Sequence, residues 1–365
     1  LVMNNSSEFE EVDLLVRKAR IAQEKFERQG SQQLFDLACQ AVGWALMEPE
    51  QNQRLAELAV KETGLGNVSD KIKKNHNKTL GLLRDIKGVK SFGHVSEDEE
   101  LGLSLYLRPK GVVAAIVPST NPLATPVNNI INALKCGNSI IVAPSPKGAQ
   151  PLRELLSIIH ENLSLIGLDQ DLVQMVPIPP TKGKTNRLMQ LADMLVVTGS
   201  QNNVKAGYSS GTPALGVGQG NVVTIIDETA DIEDAAAKIS VSKTFDNATS
   251  CSSENSVIAI DTVYEEVISS LSSEGGLVLS EEEGSRLTNI HWKNGKMTTD
   301  LLAQDIDVII DKVDLKDRAG KDTKFLILPT NKAGASEVVC GEKMSRFLTL
   351  YRVRNISEAI ELAIK

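Results

Sequence analysis

Between Glu8 and Ile86, apolar residues return at near-helical spacing: Val12, Leu15, Val16, Ala19 and Ile21-Ala22, then Leu34, Leu37, Ala41 and Leu46. That period predicts successive amphipathic helices, interrupted by a turn at Gly64-Leu65-Gly66. Lys71, Lys73, Lys74 and Lys78 fall on the helix after the turn and predict a solvated basic face, with phosphate contact as the alternative. The period then changes. In the stretch 90–110, Leu101, Leu103, Leu105 and Leu107 alternate with Gly102, Ser104 and Tyr106, as in a half-exposed strand of a hairpin arm. Such an arm serves as a packed edge or as a subunit contact.

From Gly111 to Val117 the chain is continuously apolar, which predicts a strand buried on both faces. Pro118-Ser119-Thr120-Asn121-Pro122 breaks the run, an amphipathic helix follows to Lys135, Cys136-Gly137 closes it, and 139–143 forms a second buried strand. Strand, helix and strand of this length make a right-handed βαβ unit. The alternation continues with a helix over 147–163, a strand over 172–176, a helix over 186–191, a strand over 193–197, a helix over 201–209 and a strand over 222–226. The fold class this predicts is α/β, a doubly wound Rossmann-type parallel sheet that binds nucleotides at its carboxyl edge, followed by a second α/β domain. The expected division is 1–226 and 227–365. In the second part, 324–328 and 347–353 read as strands, and a helix begins at Ile356.

Two glycine-rich turns punctuate this pattern. Thr198-Gly199-Ser200 follows a strand and opens a helix, so its N–H groups suit a pyrophosphate, although GxGxxG is absent and Val204 stands where a further glycine would be expected. Pro213-Ala214-Leu215-Gly216-Val217-Gly218-Gln219-Gly220-Asn221 precedes a strand and permits close backbone approach to a ligand, or forms only a tight loop. Between the helical run 231–244 and the strand 256–261 lies Phe245-Asp246-Asn247-Ala248-Thr249-Ser250-Cys251-Ser252-Ser253-Glu254-Asn255, a polar loop with one thiol at its centre. A thiol on a loop held by rigid elements is a candidate nucleophile, set against the plainer reading of a small packed residue.

Composition narrows the setting. The chain has 365 residues, enough for two domains, and a net charge of −8, which argues against nucleic acid or an anionic membrane as partner. Cys39, Cys136, Cys251 and Cys340 are scattered, without metal-like spacing to the four histidines, which predicts a reducing, cytoplasmic setting with neither disulfide framework nor metal site. No apolar run reaches membrane-spanning length and no signal peptide is visible. The opening Leu1-Val2-Met3 predicts a biological start elsewhere, and the end at Lys365 inside a helical pattern predicts further C-terminal residues.

Taken in order, Ile116-Val117-Pro118-Ser119-Thr120-Asn121-Pro122, Val197-Thr198-Gly199-Ser200, Gly216-Val217-Gly218-Gln219-Gly220-Asn221, Phe245-Asp246-Asn247…Cys251 and Glu342-Lys343-Met344-Ser345 resemble the aldehyde dehydrogenase superfamily. More narrowly they resemble its CoA-acylating branch, which includes acetaldehyde dehydrogenases, the aldehyde dehydrogenase half of bifunctional acetaldehyde–alcohol dehydrogenases, and sulfoacetaldehyde and succinate semialdehyde dehydrogenases. The resemblance runs from about residue 10 to the end. It implies Cys251 as the nucleophile, and Asn121 with the Cys251 N–H as the oxyanion hole. It implies Pro118, Ser119, Thr120, Thr198, Gly199, Ser200 and Gly218 around the cofactor, Pro144, Ser145 and Pro146 at the adenine ribose, and Glu342 on the nicotinamide ribose.

The departures carry information. Hydrolytic relatives place a general-base glutamate just before a double glycine, where this chain has Val217-Gly218-Gln219-Gly220, so a thioester there would wait for a thiol such as CoA. Ala143 and Pro146 replace the lysine and glutamate that often hold the adenine ribose, which leaves NAD and NADP both open, with Lys147 near enough to favour a phosphate. Arg346 stands where proline is common and reads as a surface change rather than an anion site. Thr249, Ser250, Ser252 and Ser253 flank the thiol and predict a polar mouth for a small aldehyde: acetaldehyde by default, sulfoacetaldehyde or succinate semialdehyde otherwise. The expected partners are the aldehyde, CoA and further copies of the chain, with an alcohol dehydrogenase fused or separate. Two rivals are a hydrolytic enzyme with its base elsewhere and an inactive nucleotide-binding module.

Overall fold

The computed structural model describes residues 3–334 and 336–365, so Leu1-Val2, on which the reading of the chain's start rests, lie outside the described residues. The chain forms two compact units, residues up to Gly64 with Lys71–Gly218, and Leu65–Asp70 with Gln219–Lys365.

The first unit opens with α1 (Met3–Arg28), α2 (Gln32–Met47), α3 (Pro49–Thr63) and α4 (Val68–Asp85), whose first residues belong to the second unit. Ser31 starts α2 by accepting the Leu34 N–H at 3.1 Å. An antiparallel hairpin follows, β1 (Gly93–Asp98) with β2 (Leu103–Leu107). Then come β3 (Val112–Val117), α5 (Ala124–Lys135), β4 (Ser139–Pro144), α6 (Ala149–Leu165), β5 (Val173–Met175), α7 (Lys182–Leu191), β6 (Met194–Thr198), α8 (Gln201–Tyr208) and β7 (Ala214–Val217). The five long-range strands form a parallel sheet in the order β5-β4-β3-β6-β7. Alternation along β3 explains its uniform apolarity: Val113, Ala115 and Val117 enter the core under α2, α5 and α6, and Val112, Ala114 and Ile116 enter the core under α1 and α7. Fully burying one such valine or isoleucine contributes roughly 1.5–3 kcal/mol, so both layers are firmly fixed to the sheet.

The second unit runs β8 (Val222–Ile226), α9 (Ile232–Thr244), β9 (Glu254–Ile260), α10 (Tyr264–Ser273), β10 (Gly276–Val278), α11 (Glu281–His291), β11 (Trp292–Lys293), β12 (Lys296–Met297), α12 (Ile306–Val313), β13 (Phe325–Pro329), β14 (Phe347–Val353) and α13 (Ile356–Ile364). Its parallel sheet has the order β10-β13-β14-β9-β8. Asp231 caps α9 through the Asp234 N–H, and a reciprocal Ser280–Glu283 capping box starts α11.

Four sequence expectations change. The strand 222–226 pairs with β9 in the second sheet instead of extending the first, and the chain passes between units at Gly218–Gln219. The edge of the first sheet is instead β7, from the stretch read as a glycine-rich turn; its Leu215 and Val217 are exposed, so it carries no buried-strand signature. The hairpin leucines are exposed throughout, Leu103 by 60%, and Leu101 lies in the turn before β2, so the strand is not half-buried within the described chain. Lys71 and Lys74 are each only 3% exposed, which overturns a simply solvated basic face.

Candidate active site

In the first unit, parallel strands bring their carboxyl ends to one edge, where turns expose backbone groups to a ligand. β3 ends in Pro118-Ser119-Thr120-Asn121-Pro122, β4 in Pro144-Ser145-Pro146, and β6 in Thr198-Gly199-Ser200. The turns touch. A Cβ added to Gly148 would stand 3.1 Å from both the Pro122 Cβ and the Ser145 Oγ, and one on Gly199 would stand 3.9 Å from the Pro118 Cβ. Gly199 has φ 146°, a conformation side chains rarely adopt. Ser200 caps α8 by accepting the Asn203 N–H at 3.3 Å. Gly218 lies beside α8, where an added Cβ would fall 2.7 Å from the end of the exposed Gln201 side chain.

A cavity of about 430 Å³ opens along this edge. Pro144, Ser145 and Pro146 line it, together with Lys182, Asn186 and Asn202, and no carboxylate is among its lining residues. Pro118, Ser119, Thr120, Thr198, Gly199 and Ser200 stand on the same edge outside that lining. Sequence reading missed Lys182, Asn186 and Asn202, which approach only when α7 packs against β3 and α8 against β6 and β7.

In the second unit, the thiol loop begins with an unusual turn. Asp246, Asn247 and Ala248 are consecutive left-handed residues with φ 48°, 54° and 62°. Such residues cost of order 1 kcal/mol each and persist only where surrounding bonds over-determine them. Asp246 supplies most of the bracing. Its N–H donates to Asp70 Oδ2 at 2.9 Å, its Oδ1 accepts the Asn67 N–H at 3.0 Å, and its Oδ2 accepts the Thr249 hydroxyl at 2.6 Å. Asn247 Nδ2 donates to Asp305 Oδ1 at 2.9 Å and to the Ala303 carbonyl at 3.2 Å. Cys251 follows this braced turn and is exposed. Gly220 lies beside it, where an added Cβ would be 3.5 Å from the Cys251 carbonyl oxygen.

The polar mouth is smaller than expected. Thr249 is buried with its hydroxyl engaged by Asp246, and Ser253 is buried too. Ser250 and Ser252 remain at the surface, their hydroxyls 3.1 Å apart. Arg346 is half-buried rather than a surface change. Burial lowers its guanidinium, and Asp305 and Asp70, the carboxylates that hold the left-handed turn, oppose that fall.

Behind the loop lies a set of ionisable groups around Glu342, of which Lys243 and His291 are absent from the sequence reading. Lys243 is fully buried in the last turn of α9, and its Nζ donates to the Glu254 carbonyl at 2.9 Å. Burial pushes its amine down to about 7, while Glu254 and Glu342 oppose that fall. Glu342 is raised by burial, an effect partly offset by Lys243. Lys343 is also fully buried; its N–H donates to Asn255 Oδ1 and its Nζ to the Gly341 carbonyl, both at 3.0 Å. Burial and then Lys243 depress its amine. His291 Nε2 lies 2.8 Å from the Lys343 carbonyl, which assigns the proton to Nε2, and burial lowers the ring to about 4.

Comparison with known proteins places this geometry. A profile described as "Aldehyde dehydrogenase family" matches residues 4–363. The chain is similar to the sulfoacetaldehyde dehydrogenase (acylating) of Cupriavidus necator, with 49% identity over 352 residues, covering 96% of this chain and 71% of that protein. It is similar to the succinate-semialdehyde dehydrogenase (acetylating) of Clostridium kluyveri, with 35% identity over 351 residues, covering 96% and 76% respectively. Among solved structures, an acetylating aldehyde dehydrogenase from Geobacillus thermoglucosidasius superposes with a TM-score of 0.93 at 34% identity, over 99% of this chain and 79% of that one.

Proposed function

The chain belongs to the aldehyde dehydrogenase family, and from that premise we propose that it oxidises a small polar aldehyde to its acyl-CoA, with Cys251 as the covalent carrier and NAD or NADP as hydride acceptor. One observation carries the acylating reading. The exposed, braced thiol belongs to a chain whose Val217-Gly218-Gln219-Gly220 lacks the carboxylate with which hydrolytic relatives activate water.

The residues of the first unit fit a dinucleotide. Gly199 and Ser200 open α8, whose first N–H groups suit a pyrophosphate, and the cavity at Pro144-Ser145-Pro146 suits an adenine ribose. Because no carboxylate lines that cavity and Lys182 does, the 2′-phosphate of NADP meets no repulsion there. Glu342 is assigned to the nicotinamide ribose. When bound, the cofactor supplies the hydride acceptor.

The remaining steps belong to the chain. The Cys251 thiolate adds to the aldehyde carbon, forming a C–S bond and placing negative charge on the former carbonyl oxygen. Asn121 is assigned the amide donor for that charge, since preorganised donors aimed at a developing alkoxide are usually the largest catalytic contribution. Departure of hydride from the same carbon leaves a thioester on Cys251. The CoA thiolate then attacks that carbon, breaks its bond to Cys251 and restores the free thiolate.

Sulfoacetaldehyde leads the candidate substrates, because the relative at 49% identity bears that name whereas the succinate-semialdehyde enzyme stands at 35%. Ser250 and Ser252 at the thiol also favour a short polar aldehyde over an alkyl one. Homo-oligomer formation through the exposed leucines of β1–β2 belongs to the same reading. The test is initial-rate kinetics with sulfoacetaldehyde, acetaldehyde and succinate semialdehyde, each with NAD and NADP. A kcat/KM for sulfoacetaldehyde below that for acetaldehyde would reject the substrate assignment, and a monomeric mass by light scattering would reject the oligomer.

A further inference from the structure

Strand β9 is apolar from Val257 to Ile260, yet its start carries two buried polar residues, Asn255 and Ser256, each 3% exposed. Asparagine is seldom buried without a hydrogen-bonding task. Here the task is long-range. The Asn255 Oδ1 accepts the Lys343 N–H at 3.0 Å, across 88 residues of chain. An N–H donor requires the amide oxygen at that place, which fixes the orientation of the side chain. The Asn255 backbone is held in turn. Its carbonyl accepts the Thr349 hydroxyl at 3.2 Å, and the Ser256 and Thr349 hydroxyls lie 2.8 Å apart.

The bond falls where the strand ladder ends. Parallel pairing of β14 with β9 runs from Thr349–Ser256 to Val353–Ile260, so Gly341 to Arg346 precede it without a strand partner in β9. That loop carries Glu342 and holds Met344 at φ 45°, a left-handed conformation that persists only where neighbours enforce it. His291 and Ala303 grip the loop by its carbonyls, through Nε2 on the Lys343 oxygen and the Ala303 N–H on the Met344 oxygen, both at 2.8 Å. Neither belongs to the thiol segment. Asn255 does: it lies four residues beyond Cys251 and grips the N–H of the residue next to Glu342. We propose that Asn255 is a positioning residue, whose side-chain oxygen sets the Glu342 carboxylate relative to the thiol loop by holding the Lys343 N–H. The proposal rests on the assignment of Glu342 to the nicotinamide ribose. Without this bond the remaining grips act on carbonyls beyond Glu342, and the acid is free to turn from the ribose.

The test measures binding, without aldehyde. The intact protein is titrated with the tighter of NAD and NADP, and separately with ADP, or with 2′-phospho-ADP where NADP is the tighter. The ADP probe lacks the nicotinamide ribose and so does not sense Glu342. The proteins are wild type, Asn255→Leu, Glu342→Gln and the double variant. Asn255→Leu keeps the forked shape of the side chain and removes the acceptor. It is expected to bind the dinucleotide about tenfold more weakly, an effect the size of one buried hydrogen bond, with affinity for the ADP probe unchanged. The double variant should bind the dinucleotide as Glu342→Gln does, because Asn255 acts through that carboxylate. Wild-type dinucleotide affinity in Asn255→Leu, an equal loss of affinity for the ADP probe, or additive losses in the double variant would overturn the proposal. If Asn255→Leu does not fold, Asn255→Ser, whose hydroxyl is too short to reach the Lys343 N–H, replaces it and the same outcomes decide. Should Glu342→Gln itself bind the dinucleotide as wild type does, the ribose assignment falls and the proposal with it. If Glu342→Gln binds weakly and Asn255→Leu does not, the proposal falls alone.

Discussion

His291 is a neutral ring because no solvent reaches it: it packs edge-on to Trp292 and Phe347, 4.4 and 5.1 Å between centroids, with Nε2 bonded to the Lys343 carbonyl. Its folded pKa of about 4 lies below the unfolded value of 6.5. The stability from this group is therefore complete above pH 6.5 and lost as pH falls toward 4. Between pH 7 and pH 5, wild type should lose about 2 kcal/mol that a stable His291→Gln variant does not lose, as measured by urea unfolding at both values. Equal losses would show that the ring titrates normally. At the site, Cys251→Ala should abolish turnover, and Asn121→Ala should lower kcat roughly a hundred- to thousandfold in steady-state assays without weakening cofactor binding. Cys251 stood out in the sequence as the one thiol of a polar loop between a helix and a strand, whereas Asn121 was singled out only by the family resemblance. Lys243 and His291 did not stand out. Burial arises from chain segments distant in sequence, and a lysine at a helix end reads from local pattern as a solvated cap.

The left-handed turn Asp246–Ala248 shows how an element becomes a catalytic support. Three residues that each disfavour their conformation are held because Asp246 and Asn247 bond to Asn67, Asp70, Ala303 and Asp305, brought together from separate parts of the second unit. Asp246→Ala should strip the Asn67 N–H of its side-chain acceptor, leave the Thr249 hydroxyl only the backbone carbonyl of residue 246, and cost about 2–4 kcal/mol in denaturant melts. It should also lower kcat more than cofactor affinity, because the displaced group is the thiol. A variant with wild-type stability would show that the turn is not held by these bonds. The sequence located this loop between a helix and a strand but gave no sign of the left-handed turn, since none of its residues is glycine. Elements with a strong local period were legible: β3, β4 and α9 lie where apolar spacing puts them. β8 was misassigned because pattern identifies a strand without saying which sheet receives it, and β7 was read as a turn because its exposed Leu215 and Val217 leave no buried-strand pattern.

At the scale of the molecule, the two parallel sheets divide the proposed labour, with dinucleotide turns on the first unit and the thiol and Glu342 on the second. The α/β class and family were legible from five motifs in chain order, each weak alone. Substrate choice was not legible, because Ser250 and Ser252 present polarity without a group specific for one anion. The polar mouth is narrower than the sequence implies, because Thr249 and Ser253 are buried. The central claim is that the acyl group leaves Cys251 to a thiol and not to water. It is tested most directly by following reduced-cofactor formation by the intact protein with sulfoacetaldehyde, with and without CoA, beside Cys251→Ala. Sustained turnover only with CoA, absent in the variant, is the predicted result, and steady turnover without CoA would contradict it.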